Sequence, residues 1–313
     1  MLSKWVSYVS SQGIEEADAS CCCASCGIAE IDDVKLKECD GCDLVRYCGD
    51  ECQRDHKSQH EEACKKRAAE LRDELLFRQP EGHLFGDCPI CCLPLPLDGE
   101  KFLVNTCCSK FVCKGCDYAN KRREAEMRLD HSCPFCREAI YRTDEERTKQ
   151  WMKRIEAKDK IALRQEGTEQ HNKGDYSRAC EYWTQAAELG DAEAHCKLAG
   201  LYHFGDVVEK DKGKCMYHLE EAAIGGHPLA RYHLGCIEWE NGKYERAVKH
   251  WIISSIQGDD SSIKELMDSF RRGECSKEDL AAALRAHQAA VDATKSPQRN
   301  AAEECEVAAG YYV

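Results

Sequence analysis

The sequence CASCGIAEIDDVKLKECDGCDLVRYCGDECQRDHKSQHEEAC occupies residues 23–64. Its cysteines come in pairs two or three residues apart, and it ends with His60 and Cys64, which would share one face of a helix. Zinc takes four sulfur or nitrogen ligands in a tetrahedron, and closed sites of this kind are structural. The stretch has enough ligands for two zinc ions: Cys23, Cys26, Cys39, Cys42, Cys48, Cys52, His60 and Cys64.

This stretch resembles a MYND zinc finger along its whole length, through the segments CASC, CDGC and RYCGDECQRDHKSQHEEAC. The resemblance implies that the ligands of the two zinc ions alternate along the chain. One ion would be held by Cys23, Cys26, Cys48 and Cys52, and the other by Cys39, Cys42, His60 and Cys64. MYND fingers typically dock short peptide segments of other proteins. The family often has tryptophan where Lys57 stands, a departure that concerns the partner surface and leaves the ligands intact.

A second block of cysteines follows and contains the segments CPIC, CCSKFVCKGC and CPFCR. It resembles an all-cysteine RING finger, in which the ligands of two zinc ions also alternate. By that resemblance one ion would be held by Cys88, Cys91, Cys113 and Cys116, and the other by Cys107, Cys108, Cys133 and Cys136. Together the two blocks predict four bound zinc ions.

The RING resemblance implies an activity that depends on position, since such a finger has no nucleophile. It binds a ubiquitin-conjugating enzyme and holds the ubiquitin thioester where a lysine can attack it. The residues that match the contact positions of the family are Ile90, Pro134, Phe135 and Arg137. The helix before the last cysteine pair, DYANKRREAEMRLDHS, departs from the family because it is largely charged.

These observations leave two hypotheses for function. The first is a RING-type ubiquitin-protein ligase whose MYND finger and C-terminal repeats recruit protein substrates or adaptors. The alternative is a non-catalytic scaffold that uses the same modules for protein–protein contacts, because fold does not imply function. Ile90 and Arg137 favour the ligase, whereas the charged helix favours the scaffold.

The C-terminal half of the chain repeats itself. Residues 174–191, GDYSRACEYWTQAAELGD, and residues 242–259, GKYERAVKHWIISSIQGD, share Gly, Tyr, Arg, Ala, Trp, Gly and Asp at the same offsets, a middle copy lies between them, and a weaker copy contains Leu266 and Phe270. A helix–turn–helix unit of this size cannot bury its own apolar face, so the copies should stack into an α-solenoid. The period and the small residues near the end of each unit resemble Sel-one-like repeats, which are relatives of the tetratricopeptide family.

The predicted fold is therefore a pair of small zinc-stabilised α+β modules followed by an all-α helical solenoid. The predicted segments are a flexible N-terminus (1–20), the MYND-like finger (21–64), a helical linker (65–85), the RING-like finger (86–140), a connecting helix (141–173), the helical repeats (174–290) and a loose tail (291–313).

Composition limits the remaining classes of function. The chain has 313 residues, 24 cysteines and a formal net charge of −13. The acidic balance gives no general reason for the chain to bind nucleic acid. The short basic runs do not change this expectation, because they are interleaved with or followed by glutamate. No stretch approaches the ~20 apolar residues of a membrane span, and no secretory signal is visible. We expect an intracellular protein, cytoplasmic or nuclear or both, whose cysteines bind zinc.

Overall fold

The structure is a computed structural model that describes residues 22–31, 34–140, 143–205 and 208–308. The predicted flexible N-terminus and the last residues of the predicted tail, 309–313, lie outside this part. The chain divides into two compact units, Met1–Leu76 and Phe77–Val313. Among the described residues, no helix is long and apolar enough to cross a bilayer.

The first unit contains a two-stranded antiparallel sheet and a long helix. Strands β1 (Lys37–Glu38) and β2 (Arg46–Tyr47) precede helix α1 (Asp50–Leu76). The helix continues without a break beyond residue 64, because the segment KKRAAELRDELL has neither glycine nor proline to end it. Arg67 donates to both carboxylate oxygens of Asp43, at 2.7 and 2.8 Å, and so ties the helix to the loop before β2.

The second unit begins with a second small module. Strands β3 (Phe102–Val104) and β4 (Phe111–Cys113) pair antiparallel, and helix α2 (Lys114–Met127) follows at once. Leu95 and Val112 form a small core with the rings of Phe85, Phe102 and Phe111. Too few apolar residues are present for this core alone to support a fold of such size, so the cysteine clusters described below must contribute.

The rest of the second unit is helical. The helices are α3 (Asp144–Glu156), α4 (Lys160–Asn172), α5 (Tyr176–Glu188), α6 (Ala192–Phe204), α7 (Lys212–Ile224), α8 (Pro228–Glu240), α9 (Tyr244–Ile256), α10 (Asp260–Arg271), α11 (Lys277–Ala293) and α12 (Pro297–Ala308). From α4 to α9, each helix packs against the next along the chain. Aspartate side chains accept backbone N–H groups at the starts of several of these helices, for example Asp191 from Ala194. The predicted fold class, zinc modules followed by a helical solenoid, is confirmed.

A glycine–tryptophan contact occurs twice in the solenoid. The indole N–H of Trp183 donates to the carbonyl of Arg164 at 3.2 Å, and that of Trp251 donates to the carbonyl of Tyr232 at 3.3 Å. A Cβ at Gly235 would lie 2.4 Å from Trp251 Nε1, so the absence of a side chain at this position lets the indole pack closely on α8. In the same way, a Cβ at Gly167 would lie 2.5 Å from Cδ1 of Trp183. These tryptophans are core residues, as their repetition predicted.

The structure differs from three of the predicted segments. The predicted helical linker 65–85 is the end of α1 and is helical only as far as Leu76. The predicted connecting helix 141–173 is two helices, because Asp159 caps a new helix by accepting the N–H groups of Ile161 and Ala162. The second of these, α4, packs against α5, so the repeats begin at Lys160 rather than at residue 174.

The predicted loose tail, 291–313, is also incorrect over its described part. Helix α11 extends into it as far as Ala293, and α12 forms a further helix that begins with Pro297. Proline at the first helical position costs no hydrogen bond. Helix α12 packs against α2 of the second small module and buries Ala302. The pattern of residues 291–313 predicted a tail because the contacts that stabilise α12 are distant in the chain.

Candidate metal centres and interaction surfaces

Four clusters of side chains have the composition of zinc sites, and each is one of the predicted sets. Within each cluster the candidate ligand atoms all lie within 4.8 Å of one another. The clusters are Cys23, Cys26, Cys48 and Cys52; Cys39, Cys42, His60 and Cys64; Cys88, Cys91, Cys113 and Cys116; and Cys107, Cys108, Cys133 and Cys136.

The two clusters of the first unit are built from both ends of the finger. Cys48 Sγ lies 3.6 Å from Cys26 Sγ and 3.5 Å from Cys52 Sγ. In the other cluster Cys42 Sγ lies 3.1 Å from His60 Nε2, which α1 presents from its buried face. Zinc–sulfur bonds of ~2.3 Å in a tetrahedron place two sulfurs ~3.8 Å apart, so both clusters are of the right size for zinc.

His56 stands outside these clusters although it lies on the same helix. Its ring stacks on that of His60, with centroids 5.8 Å apart, and its Nδ1 lies 3.1 Å from the Tyr47 hydroxyl. It therefore supports the orientation of a ligand, as residues around metal sites do.

The two clusters of the second module are built in the same interleaved way. Cys91 Sγ lies 3.8 Å from Cys113 Sγ, and Cys107 Sγ lies 3.4 Å from Cys136 Sγ. Cys113 also caps α2, because its sulfur accepts the N–H of Cys116 at 3.4 Å. The start of α2 is thus fixed by the residues that form the cluster.

The electrostatics of these clusters favour a bound cation. A hydrogen bond from Cys113 lowers the pKa of the Cys88 thiol to about 4, whereas burial raises the pKa of Cys116 to about 12 and that of Cys108 to about 11. Neighbouring thiolates repel each other, so one thiol ionises at the expense of the next. A divalent cation removes this conflict because it holds all four as thiolates. The donor set and its spacing fit zinc.

The predicted contact residues for a conjugating enzyme differ in how accessible they are to a partner. Ile90 and Phe135 are each 42% exposed, on loops that belong to different cysteine clusters. Pro134 is buried. Arg137 donates to Asn120 Oδ1 at 3.0 Å, so its guanidinium is bound to α2 of its own module.

A buried glutamate in α2 was missed by sequence analysis. Glu124 is 1% exposed and accepts hydrogen bonds from Asn120, from the hydroxyl and N–H of Ser132, and from His131. Burial opposes its ionisation, but these hydrogen bonds outweigh burial and lower the pKa of Glu124 to about 2. Its signal in the sequence was the four-residue spacing of Asn120 and Glu124, which is hidden among the other charges of the helix.

Two grooves are relevant to partner binding, one beside the cluster of Cys39, His60 and Cys64 in the first unit and one in the solenoid. One, of about 850 Å³, runs along α1 of the first unit and is lined by side chains of both charges, including Asp40, Arg54 and Lys57. The other, of about 650 Å³, lies in the solenoid and is lined by aromatic side chains, among them Tyr176 and Phe204.

Comparisons with known proteins agree with this geometry in two regions. Residues 23–64 match the MYND finger family model. Residues 162–191 and 192–227 match the Sel1 repeat model, and each match covers one pair of helices, α4 with α5 and α6 with α7. The predicted MYND finger and Sel-one-like repeats are confirmed, and the predicted binding of several zinc ions is confirmed with them. The second cysteine block lies outside the matched regions.

Solved structures similar to this chain include two with repeats. One is c5321, a protective antigen present in uropathogenic Escherichia coli strains displaying an SLR fold, with 18% identity over 47% of this chain and a TM-score of 0.41. The match spans 34% of that antigen. The other is a Sel1 repeat protein from Oxalobacter formigenes, with 26% identity over 39% of this chain and 97% of that protein, and a TM-score of 0.36. No curated protein matches the chain.

Proposed function

We propose that this protein is a zinc-stabilised scaffold for protein–protein interactions, in which the four cysteine clusters hold four zinc ions. The observation that carries the proposal is the combination of a MYND finger with Sel1 repeats, two modules of which each offers a groove. Sel1 repeats generally mediate contacts between proteins. In this chain the partners are peptide segments of other proteins.

The two grooves differ in chemistry, and this difference makes the proposal testable. Lys57 is exposed in the groove of the MYND finger, where the family often has tryptophan. Phe204 is 70% exposed at the groove in the solenoid. The finger therefore suits polar peptides, whereas the first repeats suit peptides with apolar anchors.

The test is selection of peptides from a displayed library against the zinc-loaded full chain. Binders are measured again with Lys57→Glu, with Phe204→Ser and with Arg285→Glu, an exposed control on α11. We expect one class of peptides to lose at least tenfold in affinity with Lys57→Glu and another with Phe204→Ser. Binders that respond to neither variant, or equally to the control, would contradict the proposed surfaces.

A second candidate function is that of a RING-type ubiquitin-protein ligase, with a ubiquitin-conjugating enzyme as partner. The observation that favours it is the exposure of Ile90 and Phe135 on the two cysteine loops of the second module. The hydrogen bond between Arg137 and Asn120 opposes it, because a family ligase uses this arginine to bridge two other proteins.

Ubiquitin discharge from a panel of charged conjugating enzymes tests this candidate. A ligase would accelerate discharge, and Ile90→Ala, Phe135→Ala and Arg137→Ala would each slow it while zinc content stays at the wild-type value. Absence of acceleration by zinc-loaded wild type would leave the scaffold as the function. Peptide binding by the grooves is measured independently of this result.

We infer a reducing compartment, the cytoplasm or the nucleus, for this protein. The 23 cysteines of the described residues are all free thiols, and the fifteen of them that are candidate ligands must stay reduced to bind metal. Fractionation of cells that express the tagged chain tests the inference, and recovery in an oxidising compartment would contradict it.

A further inference from the structure

Helix α12 brings a buried arginine back to the second cysteine module. Arg299 is 8% exposed. Its Nη1 donates to the carbonyls of Pro94 at 2.7 Å and Thr294 at 2.6 Å, and its Nη2 donates to the carbonyl of Leu93 at 3.1 Å. The same Nη2 lies 3.5 Å from the sulfur of Cys91, a member of a metal cluster. One guanidinium thus connects α12, the loop after the first cysteine pair, and a candidate ligand.

The backbone is shaped for this contact. A Cβ at Gly115 would lie 2.9 Å from both Cα and N of Arg299, so a larger residue would push α12 away from the module. Gln298 donates from Nε2 to the carbonyl of Gly115 at 3.1 Å. Gly115 itself lies between Cys113 and Cys116. The helix is therefore seated against the part of the chain that supplies two members of the same cluster.

The charge of Arg299 is also informative. Among the described residues no carboxylate forms an ion pair with it. A buried cation without an opposite charge is costly. Zinc bound by four thiolates has a net charge of −2, and the guanidinium lies against this group. The carbonyl oxygens accept from its two Nη groups, its Nε has no hydrogen-bond partner among the described residues, and thiolates that hold zinc would supply the opposite charge.

We propose that Arg299 is a positioning residue for the zinc ion held by Cys88, Cys91, Cys113 and Cys116. It fixes the loop that carries Cys91 and donates to the thiolate of that residue, so that zinc leaves this site slowly. The proposal rests on the ligand assignment above and is independent of whether the protein is a scaffold or a ligase.

The test is transfer of zinc from the full chain to an excess of a coloured chelator. Elemental analysis first establishes four ions per chain, which checks the ligand assignment by itself. We expect Arg299→Met to accelerate the loss of one ion about 10- to 100-fold and to leave the other three at the wild-type rate. Arg299→Lys, which keeps the positive charge but lacks the planar guanidinium and its several N–H donors, should accelerate the release of the same ion by a smaller factor. Arg285→Met is the control and should match wild type.

Two further variants separate the contact of Arg299 from the seating of the helix. Glu303→Gln with Glu306→Gln removes the ion pairs of α12 to Lys101 and Lys114, at 3.0 and 2.9 Å, and leaves Arg299 in place. This variant should release zinc at nearly the wild-type rate. Cys91→Ser should remove the responsive ion, so adding Arg299→Met to it should change nothing further. The proposal is overturned if Arg299→Met has no effect, if all four ions are released faster, or if the glutamine variant is equally fast.

Discussion

The glycine–tryptophan contact gives each repeat in which it occurs a defined distance between its helices. Trp183 and Trp251 lie in equivalent positions of two repeats, and each indole covers a glycine of the preceding helix and donates to a carbonyl there. Because an indole fills a large volume and also needs a hydrogen-bond partner, the contact fixes both the approach and the rotation of the two helices.

We expect Gly235→Ala to destabilise the solenoid by about 1–3 kcal/mol, because the new methyl group would overlap the Trp251 indole. Gly200→Ala is the matched control, since α6 has open space at that position. An alanine in an open helical position should stabilise slightly, by up to ~1 kcal/mol. Urea unfolding followed by circular dichroism measures both. Equal effects of the two substitutions would contradict the role given to the contact.

A second prediction concerns a pair of histidines between α6 and α7. The Nδ1 atoms of His195 and His218 lie 3.0 Å apart, and the ring of His218 stacks on Tyr202. Burial, with smaller contributions from the nearby His195 and Lys214, lowers the pKa of His218 to about 4, against the opposing effect of Glu221. The unfolded chain therefore binds a proton more readily than the folded chain between about pH 4 and pH 6.5.

The contribution of neutral His218 to the free energy of unfolding is complete above pH 6.5 and is lost as the pH falls towards 4. His218→Phe removes the titrating group and keeps a ring beside Tyr202. Between pH 7 and pH 5 we expect the free energy of unfolding to fall by about 1 kcal/mol more in wild type than in this variant. Urea unfolding at constant zinc, followed by tryptophan fluorescence, gives the difference. A difference that does not change with pH would refute the prediction.

At the scale of elements, the helices depend on different sources of stability. Helix α1 begins beside one cysteine cluster and carries two members of the other, and α2 is capped by Cys113. The solenoid helices α4 to α7 have instead aspartate caps, α8 is capped by the His227 imidazole, and alanine faces are buried between helices. Their stability comes from packing between neighbours, as in other repeat proteins.

Removal of zinc should therefore unfold some elements and spare others. We expect residues 22–136 to lose protection from hydrogen exchange when a strong chelator is added, because zinc supplies about 10–16 kcal/mol to such small sites. Helices α5 to α9 should keep their protection. Hydrogen exchange followed by mass spectrometry resolves the two regions. Loss of protection throughout the chain would show that the solenoid also depends on the metal.

The elements also show which features a sequence can reveal. The cysteine clusters were predictable because each ligand type is rare and its spacing reflects a local turn. The repeats were predictable because the same residues recur at the same offsets. The seating of α12 on α2 was not, since Arg299 and Cys91 are 208 residues apart and no periodic pattern connects them. The role of Glu124 was hidden because its partner Ser132 lies outside the helix that presents it.

At the scale of the whole molecule, the principal prediction is the number of bound metals. Four clusters, each with four candidate ligands, predict four zinc ions per chain. Elemental analysis of protein purified under reducing conditions measures this number directly, and Cys107→Ser together with Cys136→Ser should lower it by one. A value of two or fewer in undamaged protein would refute the ligand assignment.

The distance along the chain between Arg299 and Cys91 also has a consequence for synthesis. A ribosome that adds ~5–20 residues per second needs about 10–40 s to reach the arginine after the cysteine. For most of this interval, once Cys116 has been added, the nascent chain has all four thiols of that site but not the guanidinium that steadies them. Newly made chains therefore depend on the momentary supply of zinc in the cell more than finished molecules do, and a brief shortage acts chiefly on proteins still being translated.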